Sequence, residues 1–458
     1  MGKDLTEVRT PYRKLMPDKM YVGLEKHETT SMRGIAKRAK ASRQHRFQNL
    51  YRMIDEKLLL KCWRDLNKKA ASGVDGVTAE QYEENLAENI YNLAQRLKTK
   101  RYRTKLVRRV YIPKGKDKVR PLGIPALEDK LVQLCCARIL TSIYEQDFLS
   151  MSYGYRKGKS ARDASDDLCF NLQYGSYGYA VEADIKGYFD AIDHDRLVEM
   201  LEQRIDDDAL MGLIRQWLKA GILEIDGEIV HPETGSPQGG IVSPLLANVY
   251  MHHVMDSWFS HEVKAHSKGK VMMIRFADDY VCMFQYKADA ERFYRIMPKR
   301  LTKYGLELSA EKSGLRRLSR FEPDVNNKIE FLGFEFCWKY DFNGTVRMMR
   351  RTKPKRLQIA IAKVKEWVRE NRHLKGREFV KALNRKLVGH YNYFGVKGNE
   401  RAVRRFFNEA IESAYKWLNR RGGKKTSFNW ETFKVALTRL NIALPRVFDT
   451  GKTRVAYN

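Results

Sequence analysis

Between Val271 and Phe284 the chain reads Val-Met-Met-Ile-Arg-Phe-Ala-Asp-Asp-Tyr-Val-Cys-Met-Phe, with apolar and β-branched residues running up to Asp278-Asp279 and away again. Two such runs meeting at a short polar break predict a buried β-hairpin with two carboxylates at its turn. Carboxylates placed side by side at the lip of an apolar sheet lose solvation and oppose each other's ionisation, which a divalent cation relieves. Taken alone, the pair reads more simply as a solvated turn, because Asp is a common turn residue. The rest of the chain decides between the two.

The balance of charge narrows the partners. With 86 Lys+Arg against 56 Asp+Glu the formal net charge is +30 over 458 residues, while 43% hydrophobic content marks a globular chain with a substantial core. Such a surplus calls for a polyanion, and nucleic acid fits better than a membrane surface. No apolar run is long enough to span a bilayer and no apolar signal core opens the chain, so the expected location is cytoplasmic, in a bacterial cytosol or nucleoid. Cys62, Cys135, Cys136, Cys169, Cys282 and Cys337 lack CxxC spacing and read as reduced core thiols, and no HExxH pattern occurs.

Taken in order, residues 1–48 form a basic extension in which Ser31 to Arg46 carries six basic residues and no acid. A basic hairpin spans Leu106 to Pro125 and is expected to bring Arg109, Lys114 and Arg120 together on a polyphosphate. Gly158-Lys159-Ser160 imitates the end of a phosphate loop, but Tyr153 stands where that loop needs glycine, so an ATPase reading fails; a helix is expected from about Ala161. The alternating stretch Gly178 to Ile185 predicts a strand that delivers Asp184 at its carboxyl end, with Glu182 on the same face. A Gly- and Pro-rich loop at Gly235 to Pro244 presents Gln238 and opens into a helix from Leu245 to Phe259. Lys328 to Phe336 alternates as one strand with Gly333 inside it, a sign of close backbone approach. From Arg347 to Lys425 there are 24 Lys+Arg and 6 Asp+Glu on helically spaced apolar positions that include Val403, Phe407 and Ala410, which predicts a folded basic helical domain.

Three carboxylates on two adjacent strand ends suit a pair of Mg²⁺ ions, the arrangement that serves nucleotidyl transfer. In chain order, Val119-Arg-Pro-Leu-Gly-Ile-Pro125, Ser152-Tyr-Gly-Tyr-Arg156, Ala183-Asp-Ile-Lys-Gly-Tyr-Phe189, Ser236-Pro-Gln-Gly239, Phe276-Ala-Asp-Asp279, Glu311-Lys-Ser313 and Phe331-Leu-Gly-Phe334 resemble the blocks of a group II intron reverse transcriptase/maturase. His390-Tyr-Asn-Tyr-Phe-Gly395 and Trp417-Leu-Asn-Arg-Arg421 resemble its thumb. The family commonly has Tyr where this chain has Phe276, a loss of one hydroxyl that leaves the carboxylates untouched.

The resemblance implies an α+β right-hand polymerase fold: a basic extension over 1–48, fingers and palm with antiparallel sheet over 49–342, an α-helical thumb over 343–446 and a tail over 447–458. It implies catalytic, metal-binding Asp184, Asp278 and Asp279, with the Ile185 carbonyl as a further ligand. Lys114, Arg120, Tyr188, Phe189, Gln238 and Lys312 would serve the incoming nucleotide, with Phe189 excluding a 2′-hydroxyl and Tyr188 the fallback. Gly333 would support the primer end, and Arg33, Lys37, Arg38, Arg43, Arg350, Arg351, Lys353, Arg404, Arg405, Arg420 and Arg421 would hold nucleic acid. The implied cofactors are two Mg²⁺ ions with dNTP substrates. The implied partners are group II intron RNA and a DNA target or primer, with no membrane and with a homodimer left open. The chain stops soon after Arg446, so the endonuclease domain of many relatives is expected to be absent. Two other readings stay open: a free-standing relative used in DNA repair or phage defence, and an RNA-binding maturase without polymerase activity, against which the intact Asp set argues.

Overall fold

The computed structural model describes residues 24–113, 119–235, 239–341, 343–420 and 427–448, and for 24–31 the backbone alone. Eleven strands are found among them: β1 Val107–Pro113, β2 Val119–Ile124, β3 Tyr179–Ala183, β4 Ile222–Leu223, β5 Ile229–Val230, β6 Val271–Phe276, β7 Asp279–Phe284, β8 Gly314–Arg317, β9 Lys328–Phe331, β10 Phe334–Tyr340 and β11 Val346–Thr352. The chain divides into two compact units that alternate in sequence. The first holds Met1–Lys157, Ile185–Ser260 and Lys299–Glu307, and the second holds Gly158–Asp184, His261–Pro298 and Leu308–Asn458.

The first unit is built around the helix Leu127–Asp147, whose Leu131, Val132, Cys135, Cys136, Ile139, Leu140 and Ile143 are fully buried. A helix apolar on nearly all sides belongs in a core. The basic N-terminal segment is helical from Leu24 to Ala41 and packs on it, with Arg33, Lys37 and Arg38 exposed. The end of that helix is fixed by buried Arg204, which donates to the carbonyls of Ala39, Ser42 and His45 at 3.3, 2.9 and 2.9 Å and pairs with Asp147 at 2.9 Å.

The four-stranded sheet of this unit runs β2-β1-β4-β5, antiparallel except for the short parallel pairing of β1 with β4. Its register corrects the expected basic cluster. Arg109 lies opposite Gly123 and Arg120 lies opposite Ile112, an odd offset that sends the two guanidiniums to opposite faces. Arg109 is bonded to Glu224 at 3.0 Å, and Arg120 is exposed. Lys114 lies outside the described residues. The helix expected from Leu245 to Phe259 is α-helical only from Ser243 to Met251 and then opens into a π turn at His252–Asp256. Arg300 donates to two carbonyls there, Val254 at 3.0 Å and His253 at 3.1 Å, which supports the widened turn.

In the second unit the sheet β6-β7-β3-β8 is wholly antiparallel, and so is the sheet β11-β10-β9. The helix Ala161–Tyr174 starts at a Ser160/Asp163 capping box, where the false phosphate loop predicted a helix start. Four helices follow the strands, Pro354–Glu370, Gly376–Phe394, Glu400–Asn419 and Trp430–Arg439, with Val364, Val368, Phe379, Leu383, Leu387 and Val403 buried. Phe406 rather than Phe407 faces that core. Asn399 ties β11 to the helices through the Thr352 backbone and hydroxyl at 2.8 and 2.7 Å. The expected single strand from Lys328 to Phe336 is in fact two. Phe331 pairs with Phe334, which makes Leu332-Gly333 a two-residue hairpin turn, so Gly333 sits in a turn and not within a strand.

Removing a buried ion-pair partner leaves an uncompensated charge. Arg204→Ala is therefore expected to destabilise the chain by about 3–5 kcal/mol in urea unfolding. A loss below about 1 kcal/mol would mean that the arginine does not anchor the N-terminal helix.

Candidate active site

At the β6/β7 hairpin Phe276 pairs with Asp279, so Ala277-Asp278 forms the turn and Asp279 is the first residue of β7. Only Asp278 lies at the turn itself, where the sequence suggested both. Ala277 takes a φ of +59°, a left-handed conformation that costs a non-glycine residue about 1–3 kcal/mol. Arg275, fully buried, donates Nη1 to the Ala277 carbonyl at 2.8 Å and so holds the turn from beneath.

Strand pairing then delivers the third carboxylate. Ala183 lies opposite Tyr280, and continuing that register sets Asp184 across from Asp279 on the same face. The backbone of Asp184 is fixed on both sides: its N–H donates to Ser313 Oγ at 3.3 Å and its carbonyl accepts from the Ser309 N–H at 2.8 Å. Its carboxylate accepts from Lys312 Nζ at 2.6 Å, and that hydrogen bond raises the lysine pKa. Asp279 is pushed up to about 7, first by burial and then by the Asp278 and Asp184 charges. Glu182, two residues before Asp184, is also pushed up to about 7, chiefly by burial. Among the described residues no three His, Cys, Asp or Glu side chains form a ready-made metal cage, and Asp184 is paired with Lys312.

The Leu332-Gly333 turn approaches from the other sheet. Leu332 has φ +50° and Gly333 φ +82°. The Leu332 N–H donates to the Asp279 carboxyl, the Leu332 carbonyl accepts from Tyr393 OH at 2.9 Å, and the Gly333 carbonyl accepts from the Lys353 N–H at 3.0 Å. Between the turn and the carboxylates lies a cavity of about 600 Å³, lined by Glu182, Asp184, Asp279, Lys312, Glu330, Gly333, Lys353 and Arg356 among others.

The sequence-predicted residues sort accordingly. Asp184, Asp278, Asp279, Lys312, Gly333 and Lys353 are brought together in the second unit. Arg120, Ile185, Tyr188 and Phe189 belong to the first unit. Within it Tyr188 is buried and its hydroxyl donates to the Ala247 carbonyl at 2.5 Å, so it is a core residue and not a side chain available to a sugar. Phe189 is half-buried, edge-on to Tyr155 and Tyr188. Arg350 is corrected too. It is buried against Asp166 and donates to Ser165 Oγ at 2.9 Å, so its charge serves the fold and not a phosphate. Arg33, Lys37, Arg38, Arg43, Arg351, Arg404, Arg405 and Arg420 are exposed. Gln238 and Arg421 lie outside the described residues. Sequence reasoning gave no role to Glu182, Arg275 or Arg356. The strand alternation that placed Glu182 beside Asp184, and an arginine inside an apolar run, were the available signals.

Residues 112–336 match the reverse transcriptase (RNA-dependent DNA polymerase) family. The chain is 31% identical over 343 residues to Protein YkfC of Escherichia coli, covering 66% of this chain and 87% of that protein. It is 33% identical over 301 residues to the group II intron-encoded protein LtrA of Lactococcus lactis, covering 64% of this chain and 45% of LtrA. It is 30% identical over 214 residues to the putative COX1/OXI3 intron 1 protein of Saccharomyces cerevisiae, covering 47% and 25% of the two chains. The chain belongs to the group II intron reverse transcriptase family. The chain spans less than half the length of LtrA, and its mixed α and β elements accord with the right-hand polymerase fold of the family. Reverse transcriptases make DNA on an RNA template from dNTPs with divalent metal ions. Among the described residues no helix of this one is long and apolar enough to cross a membrane.

The raised pKa of Asp279 has a consequence for stability. A carboxyl group that binds its proton more tightly when folded makes the native state lose stability as pH rises from the ordinary carboxylate range, near 3.9, through its folded value of about 7. Asp279→Asn removes that loss. Without metal, the variant is expected to melt above the parent at pH 8 and close to it at pH 4.5 in thermal unfolding. Adding Mg²⁺ should raise the parent's midpoint more than the variant's.

Proposed function

We propose that the second unit's carboxylate cluster is the palm of this reverse transcriptase and that Asp184, Asp278 and Asp279, with the Ile185 carbonyl, hold two Mg²⁺ ions. The observation that carries this reading is the register that sets Asp184 across from Asp279 beside the Asp278 turn. The donor set fits: hard carboxylate oxygens are what Mg²⁺ takes, and Asp279 is held in a state that a cation would relieve. Lys312 supplies a cation to Asp184 in the meantime. When bound, the ions would activate the primer 3′-hydroxyl and neutralise the departing pyrophosphate. The protein's own share is positioning. Lys312, beside the carboxylates, meets nucleotide phosphate, and the Leu332-Gly333 turn carries the primer end. The same reading gives Arg120 to the triphosphate and Phe189 to the exclusion of a 2′-hydroxyl, and gives Lys114 and Gln238, which lie outside the described residues, to the incoming nucleotide.

The α-helical thumb expected from 343 starts later: Val346–Thr352 is strand β11, paired with β10, and the helices taken here as the thumb run from Pro354 onward. The exposed Arg33, Lys37, Arg38 and Arg43 on or beside the N-terminal helix, Arg351 on β11, and Arg404, Arg405 and Arg420 on or beside the thumb helices form surfaces for structured intron RNA. Binding there would stabilise the ribozyme for splicing before the intron is copied into DNA at a new site; two of the relatives are named as a group II intron-encoded protein and an intron protein.

Primer extension on an RNA template with dNTPs and Mg²⁺ tests the palm. Asp278→Asn is expected to slow it on the order of 10³-fold, the several kcal/mol that metal-held charge supplies. Extension at the parent rate would remove Asp278 from the site. For the RNA surface, Arg404→Gln with Arg405→Gln should weaken binding of the RNA and flatten its salt dependence by roughly two units of log–log slope. An unchanged slope would take these arginines off the RNA.

A further inference from the structure

Strand β3 carries one carboxylate more than the polymerase chemistry uses. Glu182 points to the same face as Asp184, and its Oε1 accepts the backbone N–H of Glu330 at 2.5 Å. That contact joins two sheets that share no ladder, since β3 lies within β6-β7-β3-β8 and β9 is the edge strand of β11-β10-β9. The register of the hairpin explains why Glu330 is available. Phe331 and Phe334 close the two-residue turn as the hydrogen-bonded pair, so the next pair, Glu330 and Glu335, directs its N–H groups away from each other. The outward Glu330 N–H would otherwise be an unpaired group on a sheet edge, and Glu182 takes it.

The tie continues on the far side of the turn. The Glu330 carboxylate pairs with Lys353 Nζ, and the Lys353 backbone N–H donates to the Gly333 carbonyl at 3.0 Å. Leu332, between them, donates its own N–H to Asp279. A short closed path thus runs from β3 through Glu182, Glu330, the turn and Asp279 back to β7, the ladder partner of β3. Cutting it at Glu182 leaves the turn held to the carboxylates from one side only.

We propose that Glu182 is a positioning residue: by holding the Glu330 backbone it sets the place of the Leu332-Gly333 turn relative to Asp184 and Asp279, and so the place of the primer's terminal 3′-hydroxyl. This rests on the palm reading above. Misplacing a reacting group by about 1 Å costs on the order of 10²-fold in rate, so a side chain that touches neither nucleotide nor metal has leverage here.

The test compares Glu182→Gln, which keeps the acceptor oxygen, with Glu182→Ala, which removes it, and Glu182→Asp, which keeps the charge but is one methylene too short. The full chain is assayed with Mg²⁺, an RNA template and an annealed DNA primer. Glu182→Ala and Glu182→Asp are expected to lower kcat about 10- to 100-fold with the dNTP KM within about twofold of the parent, and Glu182→Gln to stay within about threefold. In hydrogen exchange of the protein alone, the Glu330 and Leu332 amides should lose protection in the Ala and Asp variants and keep it in the Gln variant. Parent-like kcat in both Ala and Asp, an equal fall in Gln, or unchanged protection at Glu330 would each overturn the proposal. A parent that fails to extend primers would instead defeat the palm reading, and the exchange result would still decide whether Glu182 sets the turn.

Discussion

Like-charge repulsion at one sheet edge is the constraint to which the second unit is built. Glu182, Asp184, Asp278 and Asp279 gather at the ends of β3 and β7; burial pushes Glu182 and Asp279 up to about 7, and the Asp278 and Asp184 charges add to the shift of Asp279. Left to themselves such groups would splay into water. They are kept together by backbone, since the β3/β7 ladder fixes the Asp184 to Asp279 spacing whatever the side chains prefer. The Lys312 ammonium on Asp184 offsets part of the charge. Perturbed groups of this kind mark functional sites because a fold seldom tolerates them for packing alone.

Two strained turns complete the edge. Ala277 and Leu332 both have positive φ, where glycine would be at ease, and each costs about 1–3 kcal/mol. The compensation differs. Ala277 rests on a buried guanidinium from its own strand, whereas Leu332 is held by Asp279, by Tyr393 and, through Gly333, by Lys353. The first turn is therefore locked from inside the sheet. The second depends on partners in both sheets and in the following helices, which makes its position adjustable by side chains such as Glu182.

What the sequence made legible was whatever follows from short-range periodicity. Alternation located β3, β6 and β7, glycine and proline punctuated the loops, and the order of segments pointed to the reverse transcriptase family. What escaped it needed register or solvent access. Arg109 and Arg120 looked adjacent because both lie on one hairpin, but an odd offset puts them on opposite faces. Gly333 looked like a glycine inside a strand because a two-residue turn hardly interrupts alternation. Tyr188 stood as the fallback to Phe189, and only the bond of its hydroxyl to the Ala247 carbonyl marks it as core. The helix after the Pro-Gln-Gly loop kept its apolar period through a π turn that no residue pattern announces.

Charge shows the same limit most clearly. The net +30 points to nucleic acid, but a sum over residues weighs every arginine alike and the fold does not. Arg204, Arg275 and Arg350 are each at most 5% exposed and spend their donors on backbone carbonyls, a serine hydroxyl and aspartates. They displace no counterions from a phosphate backbone, so they add nothing to the salt dependence of RNA binding. Under the proposed reading, the charge available to RNA is the exposed subset on and beside the N-terminal helix, on β11 and on the terminal helices. The buried subset instead fixes the N-terminal helix, the Ala277 turn and strand β11, on which that exposed charge and the carboxylates depend for their placement.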